Sequence, residues 1–393
     1  MDDKLNEILE SWEAGRNVLL YGPPATGKTR LISELFHLLN TPKTSHKGIL
    51  LDPDNLEAPF SRPPLKLTIP LPVKVVWTTF HQSYGYEDFV LGLRPEITDQ
   101  GTHLQPWAGV FLDAALELSD ESSEYKSVVI FIDEINRGNA ARIFGEFMTF
   151  LDFDYRNDGR VPLPLPLRQL RFKDGISEKI NRFGAEDFQI PLNFTFPKHV
   201  YIVATMNSVD RAAVPIDSAL ARRFDRIEMR PNLDVLAQYW GVNKTVITTN
   251  LENNWENLTP FETSYLLLDR LNVAIASDLG PEFELGHGLL TSIRPITISE
   301  DGSSQPVEEN DAWQMLATLW DEVVFPQLED RYSGRPEQLL DLLRVDTAPT
   351  SGKYAWELRS SLSKNVEVRT LAPVRLNCLA VDVIKRSFQW LTR

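Results

Sequence analysis

The sequence predicts an α/β protein over residues 1–230, a parallel sheet flanked by helices, followed by a smaller, mainly helical domain over residues 231–393. Three observations carry this expectation. Short β-branched runs alternate with helical patterns to about residue 230, and helical patterns dominate after Pro231. The run Val128 to Ile132 is apolar throughout, as a central parallel strand covered on both faces should be. A loop rich in glycine and proline, Gly22 to Thr29, joins the first strand pattern to a helix pattern.

Taken in order, Leu5, Ile8, Leu9 and Trp12 recur at spacings of three and four, which predicts a short amphipathic helix. A strand over Asn17 to Tyr21 and a helix over Thr29 to Leu39 follow. Residues 40–72 hold many prolines and no clean period, so they are expected to be an insertion. Val73 to Thr79 alternates and is rich in β-branched residues, a strand pattern. Trp107 to Leu118 and Ala140 to Leu151 are expected as helices on either side of the Val128 strand. Residues 153–197 form a second polar insertion, whose alternating prolines from Val161 to Leu167 argue against a central strand. Val200 to Ala204 and Arg226 to Met229 are strand patterns, with a helix over Ile216 to Ala221 between them. Beyond Pro231, helices are expected over Thr263 to Ser277, Gln314 to Phe325, Pro336 to Leu343 and Val374 to Trp390.

The sharpest motif is Gly22-Pro23-Pro24-Ala25-Thr26-Gly27-Lys28-Thr29, which matches G-x-x-x-x-G-K-[ST] between a strand and a helix. Its glycines let backbone N–H groups face phosphates, and the helix start adds favourable partial charge. Lys28 can reach the terminal phosphates, and the Thr29 hydroxyl can hold Mg²⁺. The Val128 strand delivers Asp133 and Glu134 at its C-terminal end, where ligands bind in open parallel sheets. Asp133 is expected on the Mg²⁺ side, with Glu134 as the base that activates water. Beyond the Val200 strand, Asn207 is placed to bond the attacking water or the terminal phosphate. Asp210 and Arg211 fit a role there or an ordinary capping and surface pair. Arg222 and Arg223 fit an arginine finger acting on a neighbouring subunit, or a plain response to a helix dipole.

Four blocks together resemble the motor subunits of the McrB family of AAA+ NTPases. They are Gly22 to Thr29; Phe80 to Phe89 (Phe-His-Gln-Ser-Tyr-Gly-Tyr-Glu-Asp-Phe) with Gly92-Leu93-Arg94-Pro95; Asp133-Glu134-Ile135-Asn136-Arg137 with Gly145-Glu146; and Met206-Asn207-Ser208-Val209-Asp210-Arg211 with Arg222-Arg223-Phe224. Gly286-His287-Gly288 resembles the family's lid segment, and Trp320 to Leu328 does so more weakly. The resemblance spans most of residues 15–328. It implies an AAA+ P-loop core with a small α-helical lid, and a ring, usually hexameric, with Mg²⁺ and GTP or ATP at subunit interfaces. Asn207 would be the sensor residue, Asp210 part of the signature associated with GTP use, and Arg223, slightly ahead of Arg222, the trans-acting finger. A McrC-like nuclease subunit would enter the ring and stimulate hydrolysis, so any nuclease activity comes from that partner and DNA is engaged through the assembled complex.

This chain departs from the family in two places. The phosphate loop begins at residue 22, so no DNA-reading domain is expected before it. The signature reads Ser208-Val209 and Arg211-Ala212 where better-known members carry Thr-Ala and Arg-Ser. No guanine-reading Asn/Thr-Lys-x-Asp element is present, so GTP stands ahead of ATP on resemblance alone. The alternatives are a MoxR-like AAA+ ATPase that remodels a protein complex, and a nucleotide-gated scaffold.

Composition excludes several other classes. Lys plus Arg is 40 against Asp plus Glu 55, a formal charge of -15, which makes a poor generic wrapper for nucleic acid. A single cysteine, Cys378, excludes an internal disulfide framework. His81, His103, His199 and His287 are scattered and form no zinc pattern, and Asp52, Asp54 and Glu57 are a weak cluster inside the first insertion. The start Met1-Asp2-Asp3-Lys4 is unlike a signal peptide, and no apolar run approaches the length of a membrane span, so a cytoplasmic location is expected.

Overall fold

In the computed structural model, five parallel strands build the sheet: β1 (Asn17–Gly22), β2 (Val73–Thr79), β3 (Ser127–Asp133), β4 (Val200–Asn207) and β5 (Phe224–Glu228). Their order is β5-β1-β4-β3-β2, so β3 and β4, about 70 residues apart in sequence, are neighbours. The structure describes residues 2–40, 49–50, 65–66, 69–98, 101–157, 179–182, 188–190, 194–210, 214–245, 247, 257–298, 304–347, 356–363 and 366–392. Most of both expected insertions, with Asp52, Asp54, Glu57 and the proline run from Val161 to Leu167, lies outside the described residues. So does Arg211.

The strand alternation explains why the sheet is covered twice. Val128, Ile130 and Ile132 of β3 join one core with Phe80, Phe89, Phe111, Phe144 and Ile202. Val129 and Phe131 point the other way, into a core with Leu5, Ile8, Trp12, Leu31 and Leu35. Helices α1 (Asp2–Glu13) and α2 (Lys28–Asn40) supply that second layer, and α3 (Val110–Glu117) and α4 (Ala140–Phe144) the first. Each apolar residue buried this way contributes about 1.5–3 kcal/mol, so the two cores fix the register of the strands.

Several boundaries differ from expectation for identifiable reasons. The helix expected over Trp107 to Leu118 begins only at Val110, because Gly101–Ala108 pairs with Leu91–Thr98 as an antiparallel hairpin. The helix expected over Ala140 to Leu151 stays α-helical only to Phe144; Gly145, with φ +50°, breaks it and a 3₁₀ stretch runs on to Leu151. A Cβ at Gly145 would lie 2.9 Å from the Tyr86 ring, and the Tyr86 hydroxyl donates to Glu146 Oε1 at 3.4 Å. A short helix α5 (Ser218–Ala221) precedes β5.

The chain divides into two compact units, Met1–Gly22 with Lys28–Met229, and Pro23–Gly27 with Arg230–Arg393. The second is mostly helical: α6 (Leu233–Trp240), α7 (Pro260–Asp278), α8 (Glu309–Leu319), α9 (Phe325–Arg331), α10 (Pro336–Leu342) and α11 (Val381–Thr392). Its core gathers Trp240, Leu267, Leu271, Ile275, Trp313, Leu316, Trp320, Leu328 and Phe388. Helix α7 starts with a capping box in which Thr259 and Glu262 satisfy each other's backbone N–H groups. Residues Trp320–Val324 form a π-helical turn just before Pro326, where a continuous helix was expected. A hairpin of Trp356–Ser363 with Val366–Pro373 departs from the mainly helical expectation, and α11 starts at Val381 rather than Val374. Among the described residues no helix is long and apolar enough to cross a membrane.

Candidate active site

Gly22 ends β1 with φ +150°, and a Cβ on it would lie 2.3 Å from the Met229 carbonyl oxygen, so the strand end requires glycine. Its own carbonyl accepts from Lys28 Nζ at 3.0 Å and from the Ser208 N–H at 3.1 Å. Lys28 opens α2 and is 6% exposed. Burial lowers its pKa to about 8, opposed by the negative charges of Glu134 and Asp133. A lysine held this way carries its charge into a partly dehydrated place, where added phosphate would stabilise it.

The intervening residues belong to the second unit. The Thr26 hydroxyl donates to the Pro23 carbonyl at 3.0 Å, and Ala25 and Gly27 take positive φ angles of 60° and 88°. Gly288 N–H donates to the Ala25 carbonyl at 2.8 Å, and a Cβ on Gly286 would approach Pro24 O to 2.2 Å. This is why the Gly286-His287-Gly288 segment needs its glycines. His287, also buried, accepts at Nδ1 from the Asn232 N–H at 3.1 Å.

At the end of β3, Asp133 Oδ1 accepts from Thr29 Oγ1 at 3.3 Å and from Thr205 Oγ1 at 2.5 Å. One hydroxyl and one carboxylate fit a small hard cation that fills the rest of its shell with water and phosphate oxygens. No cluster of three or more His, Cys, Asp or Glu suited to a protein-only metal cage occurs among the described residues.

Glu134 lies just past the strand in the left-handed region, φ 56° and ψ 51°. For a residue with a side chain that conformation costs about 1–2 kcal/mol, and the surrounding bonds hold it there. Its N–H donates to Thr205 Oγ1 at 3.1 Å, and its Oε1 accepts from Asn207 Nδ2 at 2.5 Å. Its Oε2 is buried, accepts no hydrogen bond among the described residues, and has Arg137 Nε at 3.8 Å. Burial raises the Glu134 pKa, and the neighbouring Asp133 carboxylate adds to the rise; Arg137 and Lys28 oppose it.

The signature segment closes the site. Asn136 Nδ2 donates to the Asn207 carbonyl at 3.0 Å, and the Val214 N–H donates to the Asn136 carbonyl at 2.8 Å. Asp210 pairs with Arg137, Nη2 to Oδ2 at 2.5 Å. Thus Lys28, Thr29, Asp133, Glu134, Asn207 and Asp210 converge at the C-terminal edge of the sheet. The two arginines lie elsewhere and differ. Arg223 is tied down, Nε to Asp152 Oδ2 at 2.8 Å and Nη1 to the Ala219 carbonyl at 2.8 Å. Arg222 is exposed and makes no side-chain hydrogen bond or ion pair among the described residues.

Residues 66–224 match the AAA domain of the dynein-related subfamily. A 231-residue stretch is 29% identical to the type IV methyl-directed restriction enzyme EcoKMcrB subunit of Escherichia coli K12, covering 58% of this chain and 39% of that protein. The chain is therefore similar to McrB and carries an AAA-domain match. A second relative, the type II restriction enzyme BsuMI component YdiS of Bacillus subtilis 168, is 26% identical over 59% of this chain and 64% of its own length. The chain therefore spans less than two thirds of the length of either relative. A DNA polymerase III gamma-subunit-related protein from Thermotoga maritima aligns over 88% of this chain and 84% of its own, at 12% identity and a TM-score of 0.26, too low to bear on the fold.

Thr205, Asn136 and Arg137 are site residues to which sequence reasoning assigned no role. Thr205 had a signal: a hydroxyl two residues before Asn207 in an apolar strand shares its face. The roles of Asn136 and Arg137 depend on β4 lying beside β3, which spacing within either motif does not reveal.

Proposed function

We propose that the chain is an Mg²⁺-dependent nucleoside triphosphatase, with GTP ahead of ATP, acting as the oligomeric motor of a McrBC-like restriction or anti-phage complex. The observation that carries the hydrolytic part is the Glu134 carboxylate: Asn207 holds one oxygen, and the other has no hydrogen-bond donor among the described residues. That second oxygen suits a general base for water. Thr29 and Asp133 would hold Mg²⁺, which when bound neutralises charge on the β- and γ-phosphates. Lys28 binds the terminal phosphates. Glu134 takes a proton from the attacking water as its oxygen bonds to the γ-phosphorus, and the nucleoside diphosphate leaves with the electrons of the broken bond. The assembly reading rests on the names of the two relatives, both restriction components: a hexamer by resemblance, with a McrC-like nuclease subunit as partner and DNA reached through the complex.

The finger is better assigned to Arg222 than to Arg223. An arginine acting on the next subunit must be able to leave its own, and Arg223 is engaged by Asp152 and Ala219.

One experiment tests these points together. Purified protein is titrated with GTP and ATP while mass and released phosphate are followed, with and without the protein encoded beside it. The wild type should turn over and assemble with nucleotide, GTP preferred. Glu134→Gln should bind nucleotide but lose roughly 100-fold or more in turnover. Mixing Glu134→Gln with Arg222→Ala subunits should recover part of the activity, since one interface then has both groups intact. Normal turnover by Glu134→Gln removes it as the base, and normal turnover by Arg222→Ala alone removes the finger.

A further inference from the structure

The turn after β3 and the segment after β4 are joined by more than the base and its sensor. Glu134 bonds Asn207, Asn136 bonds both the Asn207 carbonyl and the Val214 N–H, and Arg137 pairs with Asp210. Within this set Arg137 is the cation between two carboxylates: Nη2 lies 2.5 Å from Asp210 Oδ2, and Nε lies 3.8 Å from Glu134 Oε2. The local backbone explains the reach. With Glu134 left-handed, residues 135–137 form a single 3₁₀ turn closed by the Arg137 N–H on the Glu134 carbonyl at 2.9 Å. The guanidinium is therefore carried back toward the carboxylate that precedes it.

The charges give this placement a consequence. Asp133, Glu134 and Asp210 are three acidic groups in one small region, and like charges at such range repel by kilocalories unless a cation intervenes. A guanidinium has a planar fork of donors and stays charged, so it can serve two carboxylates at once. Asp210, for its part, has its carboxylate on Arg137.

We infer that Arg137 is a positioning residue: it fixes the free oxygen of Glu134 for water, and the signature carboxylate Asp210 acts on hydrolysis through Arg137. The inference rests on Glu134 being the base. It assigns Arg137 a role in turnover and none in holding nucleotide, and it makes Arg137 and Asp210 one functional unit.

The test compares Arg137→Ala, Arg137→Lys, Asp210→Ala and the Arg137→Ala/Asp210→Ala double variant in the full-length chain. Steady-state turnover and the affinity for a fluorescent nucleotide analogue are measured, with thermal melting as a check on folding. Arg137→Ala should lose about 10- to 100-fold in kcat while KM and analogue affinity stay within about threefold. Asp210→Ala should match it, and the double variant should be no worse than the worse single, because partners acting as one unit are not additive. Arg137→Lys keeps the charge without the fork and should fall between wild type and Arg137→Ala. Guanidinium added at millimolar concentration should raise the turnover of Arg137→Ala several-fold and leave Asp210→Ala where it was. Undiminished turnover in Arg137→Ala, multiplying effects in the double variant, or an affinity loss as large as the kcat loss overturns the inference. Should Arg137→Ala not fold, Arg137→Lys decides: wild-type turnover in it, with the fork removed, overturns the inference equally. A wild-type chain without NTP turnover would instead overturn the triphosphatase reading, and normal turnover in Glu134→Gln the base assignment on which this inference rests.

Discussion

Two arginines at opposite edges of one parallel sheet have opposite surroundings. At the N-terminal edge, Arg156 is fully buried: Nε donates to the Phe150 carbonyl and Nη1 to the Val200 carbonyl, each at 2.5 Å, and Nη1 reaches Lys198 O at 3.0 Å. Its guanidinium carbon lies 3.8 Å from the centre of the Phe153 ring. Beside it, Asn17 is equally enclosed, donating to Leu151 O and accepting from the Ile202 N–H. At the C-terminal edge, Arg137 has a side chain 42% exposed and leans on carboxylates, one of which keeps an oxygen without a hydrogen bond among the described residues. The polar groups at the first edge satisfy one another, which fixes strand ends and residues 150–153. Those at the second are left for a ligand to complete. Polar burial alone does not mark function here; incomplete polar burial does.

The first way to break this contrast is to remove Arg156. Burial already holds its pKa down to about 9, so the fold keeps a costly cation for the sake of the carbonyls it serves. Arg156→Met leaves those carbonyls buried and unpaired, at about 1–3 kcal/mol each. A loss of roughly 4 kcal/mol in stability is expected, read as a lower urea midpoint, with nucleotide affinity unchanged while the chain stays folded. A midpoint equal to that of the wild type would show that the N-terminal edge does not depend on this network.

The mirror experiment is Lys28→Ala. Lys28 donates to the Gly22 carbonyl and is held charged against burial; deletion removes the cost of burying that charge together with the bonds it makes, so the nucleotide-free melting temperature should stay essentially where it was. Nucleotide affinity should fall about 100-fold, the worth of two or so charge-assisted bonds to phosphate. Calorimetric titration measures it; retained affinity would remove Lys28 from the phosphate site and erase the difference between the edges.

What the sequence made legible follows from how local each signal is. The phosphate loop and the Val128 strand with its two terminal carboxylates are contiguous, and their residue types suffice to place them at the sheet's C-terminal edge. Thr205, Asn136 and Arg137 act across a strand pair whose register, Ala204 beside Ile132, is set by the order of strands in the sheet. That order depends on burying two apolar faces, which no single motif encodes. Arg156 lies in a segment expected to be an insertion, and its partners Phe150 and Val200 flank that segment rather than belong to it. The hairpin at 356–373 alternates Trp356, Leu358, Ser360 and Leu362 with polar neighbours, a period of two within a stretch otherwise governed by helical periods. In the same way, Arg222 and Arg223 are equivalent as letters and separate only when Asp152 takes hold of Arg223.

The smallest expected effect sharpens the comparison by titration. Without nucleotide, Lys28 has a pKa near 8, lowered by burial. Bound phosphates stabilise the ammonium form, so the complex has a higher pKa than the free protein. The sign follows: affinity is at its full value below about pH 8 and declines as pH rises through it, by up to about tenfold per pH unit until the pKa of the complex is reached. Lys28→Arg stays charged over that range and should flatten the decline, whatever its absolute affinity. Fluorescence titrations with a nucleotide analogue between about pH 7 and pH 9.5 measure both slopes. Equal slopes in the two proteins would mean that the ammonium is not what titrates, and that the C-terminal edge holds Lys28 no differently from an exposed lysine.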